Sequence, residues 1–379
     1  MDRSGPYNRD MAESKPILIL GPTAGGKSDL AVSLAERLGD AGGEVVGADA
    51  FQVYRQLDAG TAKPDMALRQ RAAHHLIDIA EPTERFTVHD WLGRAHVAIA
   101  SIQSRGKTPI VVGGTNLYMR ALLEGMFDGP GQDADYRQSL DGIDTPLLHA
   151  RLMAVDAQTA ERVKPMDRQR IVRALEVYEL TGQPISALQT QWKEGGRGPG
   201  AKGLSESQQG QRSEHSTPPP LGPLAPTLIG LRWEAEAINP RINLRVKAMF
   251  YPDKVDPELA GAVCINGESL IYEVARLRAA GCFEPVRVDG EATAPNQARE
   301  ALGYKQLLAW MEGTDEKINS LDEAFEKTKV LTRRFAKQQR TWLKRFVGTH
   351  WIDGERYKAE PDEAVDALVA MLLASSRSS

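Results

Sequence analysis

Gly21-Pro22-Thr23-Ala24-Gly25-Gly26-Lys27-Ser28 follows the apolar run Ile17-Leu18-Ile19-Leu20 and precedes a helix-period stretch, residues 28–38, that stops at Gly39. Glycine, four residues and then Gly-Lys-Ser, set between a strand and a helix, is the spacing of a phosphate-binding loop. Glycines let the backbone amides turn inward around phosphate oxygens, and the start of the following helix adds favourable partial charge. Lys27 would place a cation on the bridging and terminal phosphates, and the Ser28 hydroxyl could ligate magnesium. The whole octet, Gly21 to Ser28, is therefore the candidate site for a di- or triphosphate.

Outward from that loop, residues 44–48 read as a second strand and 108–112 as a third, with helical spacing at 117–123. Thr87 and Asp90 have capping-box spacing ahead of a helix at 91–104. Strands and helices alternating at these lengths predict an α/β protein with a parallel sheet. Residues 135–192 read as nearly all helix, punctuated by Pro146, Pro165 and Pro184. Residues 194–226 are rich in Gly, Pro, Ser and Gln and have little to bury, which predicts a flexible insertion. A short strand from Leu228 leads into helical sequence to about Leu373, interrupted at 251–267 by a segment without clear period. The expected organisation is a frayed tail at 1–15, a first core part at 16–134, a helical insertion domain at 135–193 and the flexible insertion at 194–226. Core completion at 227–358 and a last helix at 359–379 follow.

With 379 residues, 41% hydrophobic and 26% charged, the chain has the composition of an ordinary globular protein of about two domains. Forty-seven Lys and Arg against 51 Asp and Glu give a net charge of −4, which argues against indiscriminate nucleic-acid binding but not against a local basic face. Two cysteines, Cys264 and Cys282, cannot build a disulfide framework or a zinc cluster, so a reducing compartment and buried thiols are expected. No apolar run approaches the roughly 18 residues of a membrane span, and the first fifteen residues resemble neither a signal nor a transit peptide. A cytoplasmic protein without membrane contact is expected.

Asp49 follows the second strand, and Gly113-Gly114-Thr115 ends the third, where open parallel sheets place their ligands. Asp49 by itself could be a metal partner, a general base or a helix cap, and Thr115 could equally cap the next helix. Glycines where a nucleotide hydrolase carries its magnesium-holding Asp weigh against hydrolysis and simple kinase chemistry. Residues 327–346 hold eight Lys and Arg and no acid. Their period predicts that Leu331, Phe335, Trp342 and Phe346 dock while Arg333, Lys337, Arg340 and Lys344 face outward, toward nucleic-acid phosphates or simply toward solvent. Arg162, Lys164, Arg168, Arg170 and Arg173 form a weaker cluster. The seven histidines show no metal-ligand spacing, and His74-His75 reads as local packing or hydrogen bonding.

Seven further blocks accompany the phosphate loop, GPTAGGKS. They are ADAFQVY at Ala48–Tyr54, GTAKP at Gly60–Pro64, HHLID at His74–Asp78, VGGTNLY at Val112–Tyr118, DRQRIVRALEV at Asp167–Val177, Gly303-Tyr304-Lys305, and TRRFAKQQRTWL at Thr332–Leu343. In this order, across most of the chain, they resemble the tRNA dimethylallyltransferase family of bacterial type. The resemblance implies a P-loop NTPase-like parallel sheet core with a mostly helical insertion domain. It implies transfer of a dimethylallyl group from dimethylallyl diphosphate to the N6 amine of the adenosine 3′ of the anticodon, in tRNAs reading codons that begin with U. The phosphate loop would then grip a diphosphate leaving group instead of ATP, and Mg2+ would assist through Ser28. Carried over by position, Asp49 would be the general base, Thr115 would bond near the reacting amine and diphosphate, and Arg245 would pair with diphosphate oxygens. Contacts with the tRNA anticodon stem-loop would fall on Asp49, Ala50, Phe51, Gln52, Thr115 and Arg137. They would continue on Gln169, Arg170, Ile171, Val172 and Arg173, and on Lys337, Gln338, Gln339, Arg340, Thr341, Trp342, Leu343 and Lys344. A flipped base and a monomeric enzyme are expected.

Departures from the family pattern are local. Ala50 replaces a common serine, Gly25 replaces another with an expected mild effect, and Gln338 stands where arginine is usual. The insertion at 194–226 and the extra residues between Phe250 and Gly267 are unusual, and carboxy-terminal zinc-finger cysteines are missing. On the residues alone, a small-molecule kinase and a non-catalytic RNA-binding module stay open beside the transferase.

Overall fold

Short runs such as Ile17-Leu18-Ile19-Leu20 have no polar face to offer water, and a sheet covered on both sides is where such runs are stable. The computed structural model describes residues 15–38, 42–126, 129–189, 226–288 and 292–376, and places six of its strands in one parallel sheet. The strands are β1 (Ile17–Leu20), β2 (Gly43–Gly47), β3 (His74–His75), β4 (Thr108–Val112), β5 (Thr227–Arg232), β6 (Val286–Val288), β7 (Ala292–Ala294) and β8 (His350–Asp353). Their order is β3-β2-β4-β1-β5-β8, with β6 and β7 forming a separate antiparallel pair. Strand β1 lies in the middle, Ile17 opposite Ile110 on one side and Thr227 on the other, and all four of its side chains are buried. The predicted α/β parallel sheet is thus present, with its four apolar strands where the sequence reads them.

Four strands differ from the sequence expectation: the antiparallel pair β6 and β7 lies inside a stretch expected to be helical, and two more strands join the main sheet. His74–His75 joins the sheet beside β2, and His350–Asp353 joins beside β5 inside a stretch expected to be helical. Both lie at sheet edges, are only partly buried and carry polar residues, so neither leaves an apolar run to read. The expected tail at 1–15 and flexible insertion at 194–226 lie, save for the last residue of each, outside the described residues. Cys264 is buried as expected, whereas Cys282 is partly exposed; both are free thiols. Among the described residues no helix is long and apolar enough to cross a membrane.

The chain divides into two compact units, 1–120 with 221–379, and 121–220. Within the smaller unit, helices Ala134–Ser139, Thr145–Val155, Ala157–Arg162, Arg168–Thr181 and Ile185–Leu188 enclose a core of Leu148, Leu152, Ile171, Leu175 and Val177. Beside it Glu176, fully buried, accepts hydrogen bonds from Arg137 and Arg173 and from the Asp133 amide. Burial opposes its charge, but these donors outweigh burial and hold its carboxyl below the usual range.

In the larger unit, the capping box appears as read: Thr87 Oγ1 accepts from the Asp90 amide and Asp90 accepts from the Thr87 amide. The helix it opens, Val88–Ser104, buries Trp91, whose indole donates to the Gly47 carbonyl at 2.8 Å and stacks on Tyr118. This ties the end of β2, and so Asp49, to the surrounding helices.

The basic helix runs from Leu321 to Leu343 and docks by a different face from the one expected. Its buried residues are Ala324, Thr328, Thr332, Ala336, Gln339 and Leu343, while Phe335 is 39% exposed and Leu331 and Trp342 are half-buried; Phe346, just past the helix, is buried as expected. The helix packs against the helix Ala235–Phe250, where the Phe325 ring also meets Phe250. Thr328 and Thr332 hydroxyls donate back to Ala324 and Thr328 carbonyls, so the buried threonines are satisfied. Arg333 and Arg340 are also not free: they donate to Asn243 Oδ1 and to the Trp233 carbonyl. Arg334, Lys337, Lys344 and Arg345 are the exposed cations at the end of this segment.

Candidate active site

The phosphate loop leaves β1 at the sheet's carboxyl edge and enters the helix Lys27–Arg37. Gly26 takes φ +85° at the helix start, a left-handed conformation that glycine adopts without strain. No side chain caps that helix, so its first amides, which have no intrahelical partner, open toward the pocket beside the loop. The pocket, of about 450 Å³, is lined by the loop from Thr23 to Ser28 together with Asp49, Gln52, Gly113, Gly114, Arg241, Arg245, Phe335 and Gln339, among others.

Three side chains hold the loop from outside, and spacing pointed to none of them in this role. Trp233, just after β5, donates its indole N–H to the Gly25 carbonyl at 3.1 Å. Arg241 lies over the Trp233 ring and donates to the Ala24 carbonyl at 3.0 Å. Gln339 accepts from the Thr23 amide and donates to the Gly114 carbonyl, both at 2.8 Å, bridging the loop to the end of β4. A Cβ on Gly25 would lie 2.9 Å from the Pro22 carbonyl oxygen and 3.2 Å from Trp233 Nε1. A serine there would force a shift, so the loop of this chain is shaped around glycine at that position.

Lys27 donates to the Pro22 carbonyl at 2.8 Å, and Arg245 donates to Thr23 Oγ1 at 2.7 Å. Arg245 Nε is buried with no partner among the described residues. Burial pushes Arg245 down to about 10 and Lys27 down to about 8, the latter helped by Arg245; Asp49 opposes both shifts. Asp49 is thus the counter-charge to a cationic cradle. Its Oδ1 accepts from the Phe51 and Gln52 amides at 3.0 and 3.3 Å, capping the turn after β2. Its Oδ2 reaches the floor of the pocket, 3.6 Å from where a Gly114 Cβ would sit. The capping and chemical readings of Asp49 are therefore compatible, one oxygen serving each.

Thr115 lies at the start of the helix Asn116–Glu124, and its Oγ1 accepts from the Ala50 amide at 3.0 Å, fixing the Asp49 turn. Gly113 is forced, because any side chain there would collide with the Ala48 backbone. His75 bonds Glu44 at 2.7 Å, as the local reading has it, while His74 donates from Nδ1 to the Ala72 carbonyl and lines the pocket.

The lowered Lys27 gives a test. Between pH 8 and 10.5 the unfolded chain still holds a proton on this lysine that the folded chain has released, so folding stability from this group rises with pH across that window. Below pH 8 the cost of burying its charge is complete. Thermal melts of the ligand-free protein should therefore rise relative to Lys27→Met as pH goes from 8 to 10. Added pyrophosphate should reverse the trend by favouring the charged lysine. A difference between the two proteins that stays flat with pH would remove the claim.

The structure spreads the remaining candidates over both units. In the smaller unit Gln169 and Arg170 are exposed, Ile171 is fully buried, Val172 packs on the helical core, and Arg137 and Arg173 bond Glu176. On the basic helix Lys337, Gln338, Thr341 and Lys344 are exposed, and Gln339 and Leu343 are 2% and 3% exposed. The Gln339 side chain is thus a brace for the phosphate loop, and the Leu343 and Ile171 side chains are packing.

A family model described as IPP transferase matches residues 52–346. The chain belongs to the IPP transferase family. A second model, described as isopentenyl transferase, matches residues 15–78. The tRNA dimethylallyltransferase 1 of Citrifermentans bemidjiense is 39% identical over 339 residues, 89% of this chain and 92% of that protein. The tRNA dimethylallyltransferase of Halorhodospira halophila is 38% identical over 360 residues, 93% and 96% of the two chains. Among solved structures, the full-length tRNA isopentenylpyrophosphate transferase from Bacillus halodurans matches with a TM-score of 0.59 and 29% identity, covering 96% of this chain and 98% of its own. The core is P-loop NTPase-like, and the chain is a transferase that modifies tRNA. Membership sets aside the kinase and the non-catalytic RNA-binding module.

Proposed function

We propose that this chain transfers a dimethylallyl group from dimethylallyl diphosphate to the exocyclic N6 amine of the adenosine 3′ of the anticodon, in tRNAs reading codons that begin with U. The observation that carries the reading is one carboxylate oxygen, Asp49 Oδ2, facing a cradle made by Lys27, Arg245 and an uncapped helix start. In the reaction the amine nitrogen forms a bond to C1 of the dimethylallyl group. The C1–O bond breaks, pyrophosphate leaves with the electron pair, and the amine proton passes to Asp49. Charge grows on the departing diphosphate, so cations already fixed around it stabilise the transition state more than the ground state.

Thr115 would act by holding the Ala50 amide, and its hydroxyl keeps a proton to donate toward amine or diphosphate. A cluster of three His, Cys, Asp or Glu is missing among the described residues. That suits Mg2+, which retains waters and takes one or two protein oxygens plus substrate phosphates. Ser28 would hold it, and when bound it would neutralise charge on the diphosphate. The tRNA would meet Ala50, Phe51 and Gln52 beside the pocket and the exposed Lys337, Gln338, Thr341 and Lys344. In the smaller unit it would meet Gln169 and Arg170.

Incubation of the chain with dimethylallyl diphosphate, Mg2+ and unmodified tRNA should yield a prenylated adenosine detectable by nucleoside mass spectrometry. Tight ATP use with no prenylated nucleoside would sink the proposal.

A further inference from the structure

Residues 251–267, which depart from the family pattern, fold into a built element against the phosphate-loop pocket. A short 3₁₀ turn, Pro252–Lys254, precedes the helix Pro257–Val263. The segment is anchored along its length. The Tyr251 ring packs on Phe325, and Asp256 accepts from the Glu258 and Leu259 amides. The Cys264 thiol donates to the Ala248 carbonyl, and Asn266 donates to Asp58 at 2.6 Å.

From this element Leu259, Ala262 and Val263 line the pocket, joined by Leu244 from the neighbouring helix and Phe335 from the basic helix. Leu244 is 49% exposed and Phe335 39% exposed. A lone exposed leucine needs no explanation. Five apolar side chains from three elements, bordering the same cavity as Lys27 and Arg245, do.

We propose that segment 251–267, with Leu244 and Phe335, forms an apolar wall that receives the hydrocarbon chain of the allylic diphosphate and limits its length. The inference rests on the diphosphate substrate proposed above. An amphiphile with a polyanionic head and a branched hydrocarbon tail needs cationic and apolar surfaces side by side. The cavity has both: Arg245 follows Leu244 directly in the chain, the one residue on the cationic side and the other on the apolar side. The anchoring of the segment makes the wall a fixed boundary, so a chain longer than the cavity would have to displace packed side chains.

Calorimetry of the full chain with Mg2+ tests this by comparing dimethylallyl diphosphate with inorganic pyrophosphate. The unmodified chain should bind dimethylallyl diphosphate about tenfold or more tighter, the gain of burying a few methyl and methylene groups. Leu259→Asn and Leu244→Asn should shrink that gap to less than about threefold while leaving pyrophosphate affinity in place. Leu244 is half exposed on a long helix, so its replacement does not threaten folding. Leu259→Ala should widen acceptance of geranyl diphosphate. A gap that survives both Asn variants overturns the wall, as does tRNA affinity falling in Phe335→Asn while the gap stays, which would make the face a base-stacking surface. A gap that closes as expected in a chain that prenylates no tRNA would keep the wall and overturn the proposed function.

Discussion

Asp49→Asn should keep tRNA bound and lower turnover about 10²–10⁴-fold, the range a positioned general base contributes. The two carboxylate oxygens have separate duties in this fold. Oδ1 accepts from the Phe51 and Gln52 amides, a duty that an asparagine carbonyl oxygen can perform. Oδ2 faces the pocket, where an amide nitrogen carries no lone pair for a proton. The substitution therefore isolates the chemistry from the turn. Asp49→Ala should lose the same turnover and in addition about 1 kcal/mol or more of stability, because two amides of a tight turn lose their acceptor. Asp49 also opposes the downward shifts of Lys27 and Arg245, so both groups should shift further down in either variant. Single-turnover rates, tRNA affinity and melts on the three proteins check each part. An Asn variant with near-normal single-turnover rate would show that the proton goes elsewhere.

What could be read from the sequence, and what could not, follows from where each interaction is written. The loop Gly21–Ser28 and strands β1, β2, β4 and β5 were legible because each is a contiguous pattern whose spacing has a local cause. The edge strands His74–His75 and His350–Asp353 were not, since an edge strand needs only a hydrogen-bonding neighbour and no apolar run. The docking face of the basic helix was misread by weighting large apolar side chains. The buried face is written in Ala324, Thr328, Thr332 and Ala336, small residues that an apolar period of large side chains does not mark. The braces Trp233, Arg241 and Gln339 act on Gly25, Ala24 and Thr23 over sequence separations of 208, 217 and 316 residues, and no local pattern encodes them. Family resemblance marks Gln339 for RNA contact; its hydrogen bonds to the loop are legible only in the structure.

Lys63→Met should destabilise the larger unit by about 3–5 kcal/mol, the cost of removing one partner from a buried ion network. Lys63 sits in the GTAKP block, which no catalytic role explains. It is 1% exposed, and its ammonium donates to the Tyr54 carbonyl at 2.6 Å, to Asp58 at 2.8 Å and to Asp78 at 2.5 Å. The block HHLID supplies Asp78, which also accepts from Arg69, and Asp58 also accepts from Asn266. Four motif blocks thus meet in one network, Tyr54 coming from ADAFQVY: next to it, buried Glu273 accepts from the Asp58 and Ala59 amides and from the hydroxyl of Tyr304 in Gly303-Tyr304-Lys305. Methionine keeps the volume but leaves two carboxylates short of a cation and the Tyr54 carbonyl without its donor. Within the GTAKP block the Thr61 and Ala62 carbonyls accept from Gln52, which follows Phe51 on the turn that carries Asp49. Loosening it should therefore lower turnover as well as stability. Lys305→Met is the matched control: it comes from an equally conspicuous motif, but its partner Glu300 is 55% exposed and the pair lies on the surface, so it should cost less than about 1 kcal/mol. Thermal melts should separate the two variants by roughly 10 °C. Equal melting temperatures would mean that the GTAKP lysine is not held for the fold, and a role at the pocket, which it also lines, would then have to account for it.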